Sequence, residues 1–117
     1  MKFVLLIYQG TTPLPGSDRW NALSKEEQAQ IYNDYAEFSK TAGLEAGLPL
    51  GLPNAARTVQ IRDGKMQIKE GLYLAEGIGG YSVFEAENME AAIELASRIP
   101  AARLGGAIEI RPVEKYW

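Results

Sequence analysis

The side chains that could do chemistry at neutral pH are one carboxylate, one guanidinium and a set of phenols. Glu70 closes the alternating run Met66-Gln67-Ile68-Lys69 and enters a glycine-rich stretch. Lodged in a cleft, it could act as a general base or anchor a substrate. The plainer alternative is a solvated carboxylate or a cap on the loop backbone. Arg57 precedes the run Thr58-Val59-Gln60-Ile61-Arg62 and could clamp a carboxylate or phenolate at two points. It could equally pair with a structural acid such as Glu70 or Glu76. Tyr8, Tyr73 and Tyr81 end or flank strand-like runs, where their hydroxyls could orient an aromatic or carbonyl ligand. A buried tyrosine more often just hydrogen-bonds the backbone.

What is missing narrows the chemistry. The chain has no histidine and no cysteine. The usual general base, the thiol nucleophile and most zinc or transition-metal sites are therefore out, and no cofactor is implied. Asp34 and Glu37 could share a hard cation, but a solvated helix face explains them as well. Gly77, Gly79 and Gly80 look like a phosphate loop, yet no Gly-Lys-Ser/Thr follows and a strand comes next. Ser17, Ser24, Ser39, Ser82 and Ser97 lack a nucleophile elbow and a histidine base, so serine hydrolysis is excluded.

At 117 residues the chain suits a single domain, 1–117, with one hydrophobic core. Apolar residues make up 46% and charged residues 23%, which is ordinary globular usage. The net charge is -3 and the twelve basic residues are scattered among fifteen acids, so nucleic acid is not an expected partner. No stretch approaches the roughly 20 apolar residues of a membrane span. The opening apolar run is too short for a signal peptide and reads as a strand. The absence of cysteine fits a reducing compartment, and a cytoplasmic location is expected.

The elements that must position these residues are well punctuated. Phe3 to Ile7 is a continuously apolar strand closed by Tyr8. Gln9 to Asn21, with Gly10, Pro13, Pro15 and Gly16, is a loop pinned by Trp20. Ser24-Lys25-Glu26-Glu27 is a capping box, and Ile31, Tyr35, Phe38 and Ala42 recur at helical spacing until Gly43. Leu44 to Asn54 reads as an irregular buried connector with one short strand at most. The next two alternating runs, joined by Asp63-Gly64, form a hairpin with one apolar face. Tyr81 to Phe84 is a strand. A second helix runs from Glu87 or Asn88 to Arg98, with Met89, Ala92, Ile93, Leu95, Ala96 and Ile99 inward and Pro100 beyond it. Ala107 to Pro112 is the last strand.

Strand, helix, strands, helix, strand is the ferredoxin-like split βαβ pattern, an α+β fold with an antiparallel sheet. Two helices cover only one face of such a sheet. The first strand is apolar on both sides, with Phe3, Leu5 and Ile7 on one and Val4 and Leu6 on the other. A lone protomer would expose that second side, so a homodimer packed sheet to sheet is expected.

With these elements in place, the residues resemble a known family. The strand ending in Tyr8, the Ser24-to-Glu27 helix start, Ala42-Gly43, Arg62-Asp63-Gly64, Gly79-Gly80-Tyr81, Ile99-Pro100 and Ile108-Glu109-Ile110-Arg111-Pro112-Val113 resemble the YCII-related family in its DGPF branch. The resemblance implies a dimeric α+β barrel of ferredoxin-like subunits. It also implies an enzyme role that rests, in some relatives, on a His-Asp pair in a cleft. Glu70-Gly71-Leu72-Tyr73 stands where the branch has Asp-Gly-Pro-Phe, and the stretch to Gly79 is about two residues short. With no histidine, that dyad cannot be carried over. Two functions are therefore expected to compete. One is cofactor-free acid-base or lyase-type chemistry on a small anionic or aromatic metabolite, with Glu70 moving the proton and Arg57, Tyr8, Tyr73 and Tyr81 holding the substrate. The other is a non-catalytic small-ligand-binding or protein-interaction module.

Overall fold

The structure, a computed structural model, describes residues 1–116. In chain order the elements are β1 (Lys2–Tyr8), α1 (Asp18–Asn21), α2 (Lys25–Ser39), β2 (Leu44–Ala46), β3 (Arg57–Arg62), β4 (Lys65–Glu70), β5 (Ile78–Glu85), α3 (Met89–Ser97), α4 (Pro100–Arg103) and β6 (Ala107–Pro112). A single 3-10 turn, Pro53–Ala55, precedes β3. Four strands form one antiparallel sheet in the order β2-β5-β1-β6. That order, with a helix following the first and third of the four strands, is the split βαβ arrangement.

The expected punctuation governs the helices. Ser24 caps α2: its hydroxyl accepts from the Glu27 N–H at 3.0 Å, and Glu27 accepts from the Ser24 N–H at 2.9 Å. Gly43, at φ +81°, turns the chain after α2, and its carbonyl accepts from the Glu85 N–H at 2.9 Å. This delivers Leu44–Ala46 to the free edge of β5. Asn88 caps α3 through the Ala91 N–H. Pro100 opens the short helix α4, a position that needs no N–H.

The period-two pattern of β1 decides the core. Phe3, Leu5 and Ile7 face the helices and pack with Phe38, Phe84, Leu95, Ile99 and the small residues Ala92 and Ala101. On the other face Val4 lies between Val83 and Arg111, and Leu6 between Tyr81 and Glu109. Those two side chains are only half-buried.

Four expectations need correction. The hairpin strands β3 and β4 form a separate two-stranded sheet, and the short β2 takes the place in the main sheet. Leu44 to Asn54 is not buried: Leu48, Leu50 and Leu52 are exposed, because β2 is an edge strand and the chain then leaves the body. Ile93 is exposed as well, since only Ala92, Leu95 and Ala96 of α3 turn fully inward. The loop before α2 holds a helical turn, α1, capped by the Ser17 hydroxyl and carrying Trp20 into the interior. The Asp63-Gly64 turn is as expected, with φ of 53° and 74°.

Candidate functional site

The loop Gln9–Pro15 is held over the sheet by the chain reversal at Gly105-Gly106. The Thr11 N–H donates to the Gly105 carbonyl at 3.1 Å, and the Thr12 N–H donates to the Gln9 carbonyl at 2.9 Å. Gly10 adopts φ +54° there, and a Cβ on it would sit 2.0 Å from the Gly105 oxygen. Only glycine allows that approach. Arg19 adds a 3.0 Å bond to the Thr11 carbonyl.

Under this loop lies a cavity of about 300 Å³ between the sheet, α1 and α2. Its wall is mainly apolar and aromatic: Trp20, Ile31, Tyr32, Tyr35 and Phe38 from the helices, with Ile7, Gly47–Pro49 and Gly79–Ser82 from the sheet and its edge. Trp20 and Tyr32 meet edge to face, their ring centres 5.2 Å apart. No Asp, Glu, Lys or Arg lines it. Burial raises the Tyr35 phenol above its ordinary value, partly offset by the Ala101 backbone and the Arg103 charge. It therefore stays protonated at neutral pH.

Two polar atoms on this wall are conspicuous. The Thr12 hydroxyl and the Gln9 Oε1 are buried and make no hydrogen bond within the protein. Thr12 is only 8% exposed. A buried polar group without a partner costs about 1–3 kcal/mol, so such groups in a cavity wall are natural anchors for a ligand's own polar atoms. Gly79 makes room for Gln9, since a Cβ there would fall 2.0 Å from Nε2. Gln9, Leu14 and Gly79 also border a second, larger hollow of about 490 Å³ under Leu50, Leu52 and Leu72. Neither Gln9 nor Thr12 stood out in the sequence.

The residues singled out from sequence are not gathered in one place. Tyr81 borders the cavity, with its ring against Gly47. Tyr8 ends β1 on the open sheet face, where its hydroxyl donates to Glu109 at 2.9 Å. That bond, chiefly, raises the Tyr8 phenol above its ordinary range. Arg57 and Glu70 are register partners at the base of the hairpin and form a loose ion pair at 4.0 Å. The Glu70 side chain is 86% exposed, so the cleft expected around it is absent from the protomer. Tyr73 is exposed at 64%. Both turn outward because the hairpin and the loop after it project from the body.

Asp34 and Glu37 do not share a site either. Glu37 pairs with Lys40, while Asp34 accepts from the Gln30 amide and from Arg103. The Gln30 bond, then Arg103, holds the Asp34 carboxyl below its ordinary 3.8. A depressed folded-state pKa stabilises the protein above the ordinary value, and that contribution is lost as pH falls through the lowered one. Asp34→Asn is therefore expected to cost up to about 1 kcal/mol at neutral pH. The gap from the parent should close below pH 3.8, as read by denaturation midpoints across an acid series. Among the described residues no acidic cluster is placed to hold a metal ion, and no helix is long and apolar enough to cross a membrane.

The fold places the chain among antiparallel α+β domains of split βαβ order, here with an uncharged aromatic cavity beneath the first loop. The family model for the YCII-related domain matches residues 1–116, and the chain belongs to that family. No curated protein matches the sequence.

Proposed function

We propose that this chain is a homodimeric YCII-related protein of the DGPF branch that binds a small, neutral, largely aromatic molecule between the sheet and α2. The observation that carries this reading is the pair of unsatisfied polar atoms, Thr12 Oγ1 and Gln9 Oε1, set in an otherwise apolar wall. The Thr12 hydroxyl can donate or accept, and Gln9 Oε1 can accept. A ring bearing one hydroxyl or amide satisfies them while its flat faces rest on Trp20, Tyr35 and Phe38.

A carboxylate does not suit this wall. With no cation beside it, an anion would lose its hydration without compensation. The enzymatic reading keeps Arg57 and Glu70 as its machinery, and both stand outside the cavity. Binding is the better-supported function. The dimeric part of this reading is supported by Val4, Leu6, Tyr81 and Val83 on the open sheet face, since packing two such faces together would give a dimeric α+β barrel.

Titration with 2-naphthol and its carboxylate analogue 2-naphthoate, followed by tryptophan fluorescence, tests the reading. The neutral phenol is expected to bind saturably and the anion at least about 100-fold more weakly, because a buried unpaired charge costs several kcal/mol. Trp20→Phe should abolish the signal. Glu70→Gln should leave 2-naphthol affinity unchanged within about twofold. A preference for the anion, or a large loss in Glu70→Gln, would return the site to Arg57 and Glu70.

A further inference from the structure

The segment between β2 and β5 is unlike the rest of the chain. Among the described residues, nine of the fifteen exposed large apolar side chains fall between Leu48 and Leu74. In the hairpin they share one face: Val59 pairs with Ile68 and Ile61 with Met66, all 57–66% exposed. The opposite face carries Thr58, Gln60, Arg62, Lys65, Gln67 and Lys69. The hairpin bonds to its own base, through the Gly71 N–H to Ala56 and the Thr58 hydroxyl to the Gly71 carbonyl. It makes no extensive contact with any other element. The protomer is accordingly extended, measuring 52 × 40 × 18 Å. Its radius of gyration is 16.4 Å, against about 13 Å for a compact chain of this length.

A two-stranded hairpin with one greasy face is marginal in water by itself, and an apolar face of this kind marks an interaction surface. We infer that the hairpin is an arm whose face Val59, Ile61, Met66 and Ile68 packs on a second copy of this chain. This rests on the homodimer proposed above and assigns the arm to its interface.

Charge identifies the occupant. Residues 57–70 hold four basic and two acidic side chains, a net +2, while the rest of the chain holds eight basic and thirteen acidic, a net -5. Each protomer so offers a basic arm and an acidic body, and a two-fold axis satisfies both arms at once. The open sheet faces pair with each other in that dimer, and Glu45, Glu85 and Glu109 stand around them with Lys2 and Arg111 on the same side by register, so the arm reaches past this contact to the partner's acidic body.

Sedimentation equilibrium of the parent chain and of Ile61→Asp/Ile68→Asp separates the possibilities. Both positions lie outside the core, and far-UV circular dichroism checks that the body still folds. The parent is expected to be a dimer, and the double variant should dissociate on the order of 100-fold more readily, as for central interface anchors. A parent that stays a single protomer overturns the dimer and the arm together. A parent dimer whose dissociation constant is unmoved by the double variant overturns the arm alone. Because the chain has no cysteine, Ile61→Cys carrying a polarity-sensitive dye gives a second reading. Its emission should shift to the blue over the concentration range in which the dimer forms. A dye that stays water-like through that range also overturns the assignment.

Discussion

Phe3→Ala is expected to destabilise the fold by about 3–5 kcal/mol, the usual cost of emptying a buried phenylalanine site. Phe3 is fully buried at the centre of the sheet, between Phe84 on β5 and Pro112 on β6. It packs in the same cluster as Leu95 and Ile99. The neighbouring strands cannot readily close over the space, because both are hydrogen-bonded along β1 itself. A domain of this size has only about 5–15 kcal/mol in total, so the variant should lose a large part of its margin. Urea midpoints at constant protein concentration measure it. Ile93→Ala is the matched control: that side chain is 52% exposed on α3, and a change within about 0.5 kcal/mol is expected. If both variants cost the same, the burial pattern of the sheet and helices described above is wrong.

Thr12→Val should do something less common, stabilising the protein while damaging its site. Valine keeps the shape of threonine and removes the hydroxyl that is buried without a partner. Removing an unsatisfied polar group should return about 1 kcal/mol or more, seen as a rise in melting temperature of the ligand-free protein. The same change deletes an anchor for the bound ring, so 2-naphthol should bind about tenfold more weakly, the worth of one hydrogen bond in a dry site. Stability and affinity moving in opposite directions is hard to explain if Thr12 is a packing residue. A simple structural role would lower both or leave affinity alone.

How legible these features were in the sequence depended on whether local chemistry or distant packing decided them. The capping box at Ser24, the Asp63-Gly64 turn and the alternation of β1 are local, and each appears where the residues put it, whereas α2 ends at Ser39 with Lys40 as its cap, before the stop expected at Gly43. The membership of the main sheet was harder to read. Val59, Ile61, Met66 and Ile68 form a better strand pattern than Leu44–Ala46, yet the weaker segment takes the sheet edge. Gly43 turns the chain directly onto β5, so proximity outweighs propensity there. The candidate site was the least legible. Glu70 and Arg57 stand out in the sequence as charges, and the hairpin register pairs them with each other. Gln9 and Thr12 sat in a proline-rich loop with no pattern of their own. What sets them apart is burial without a partner, which arises only when Gly10 folds against Gly105 and Gly79 leaves room for the Gln9 amide.

Backbone amide chemical shifts, recorded while 2-naphthol is titrated into the full chain, put the site to its most direct test. Saturable changes should centre on Gln9, Thr12, Trp20, Tyr35 and Gly79, with Arg57, Glu70 and Tyr73 unmoved. Changes centred on the hairpin base, or none at saturating 2-naphthol, would contradict a ligand cavity beneath the first loop.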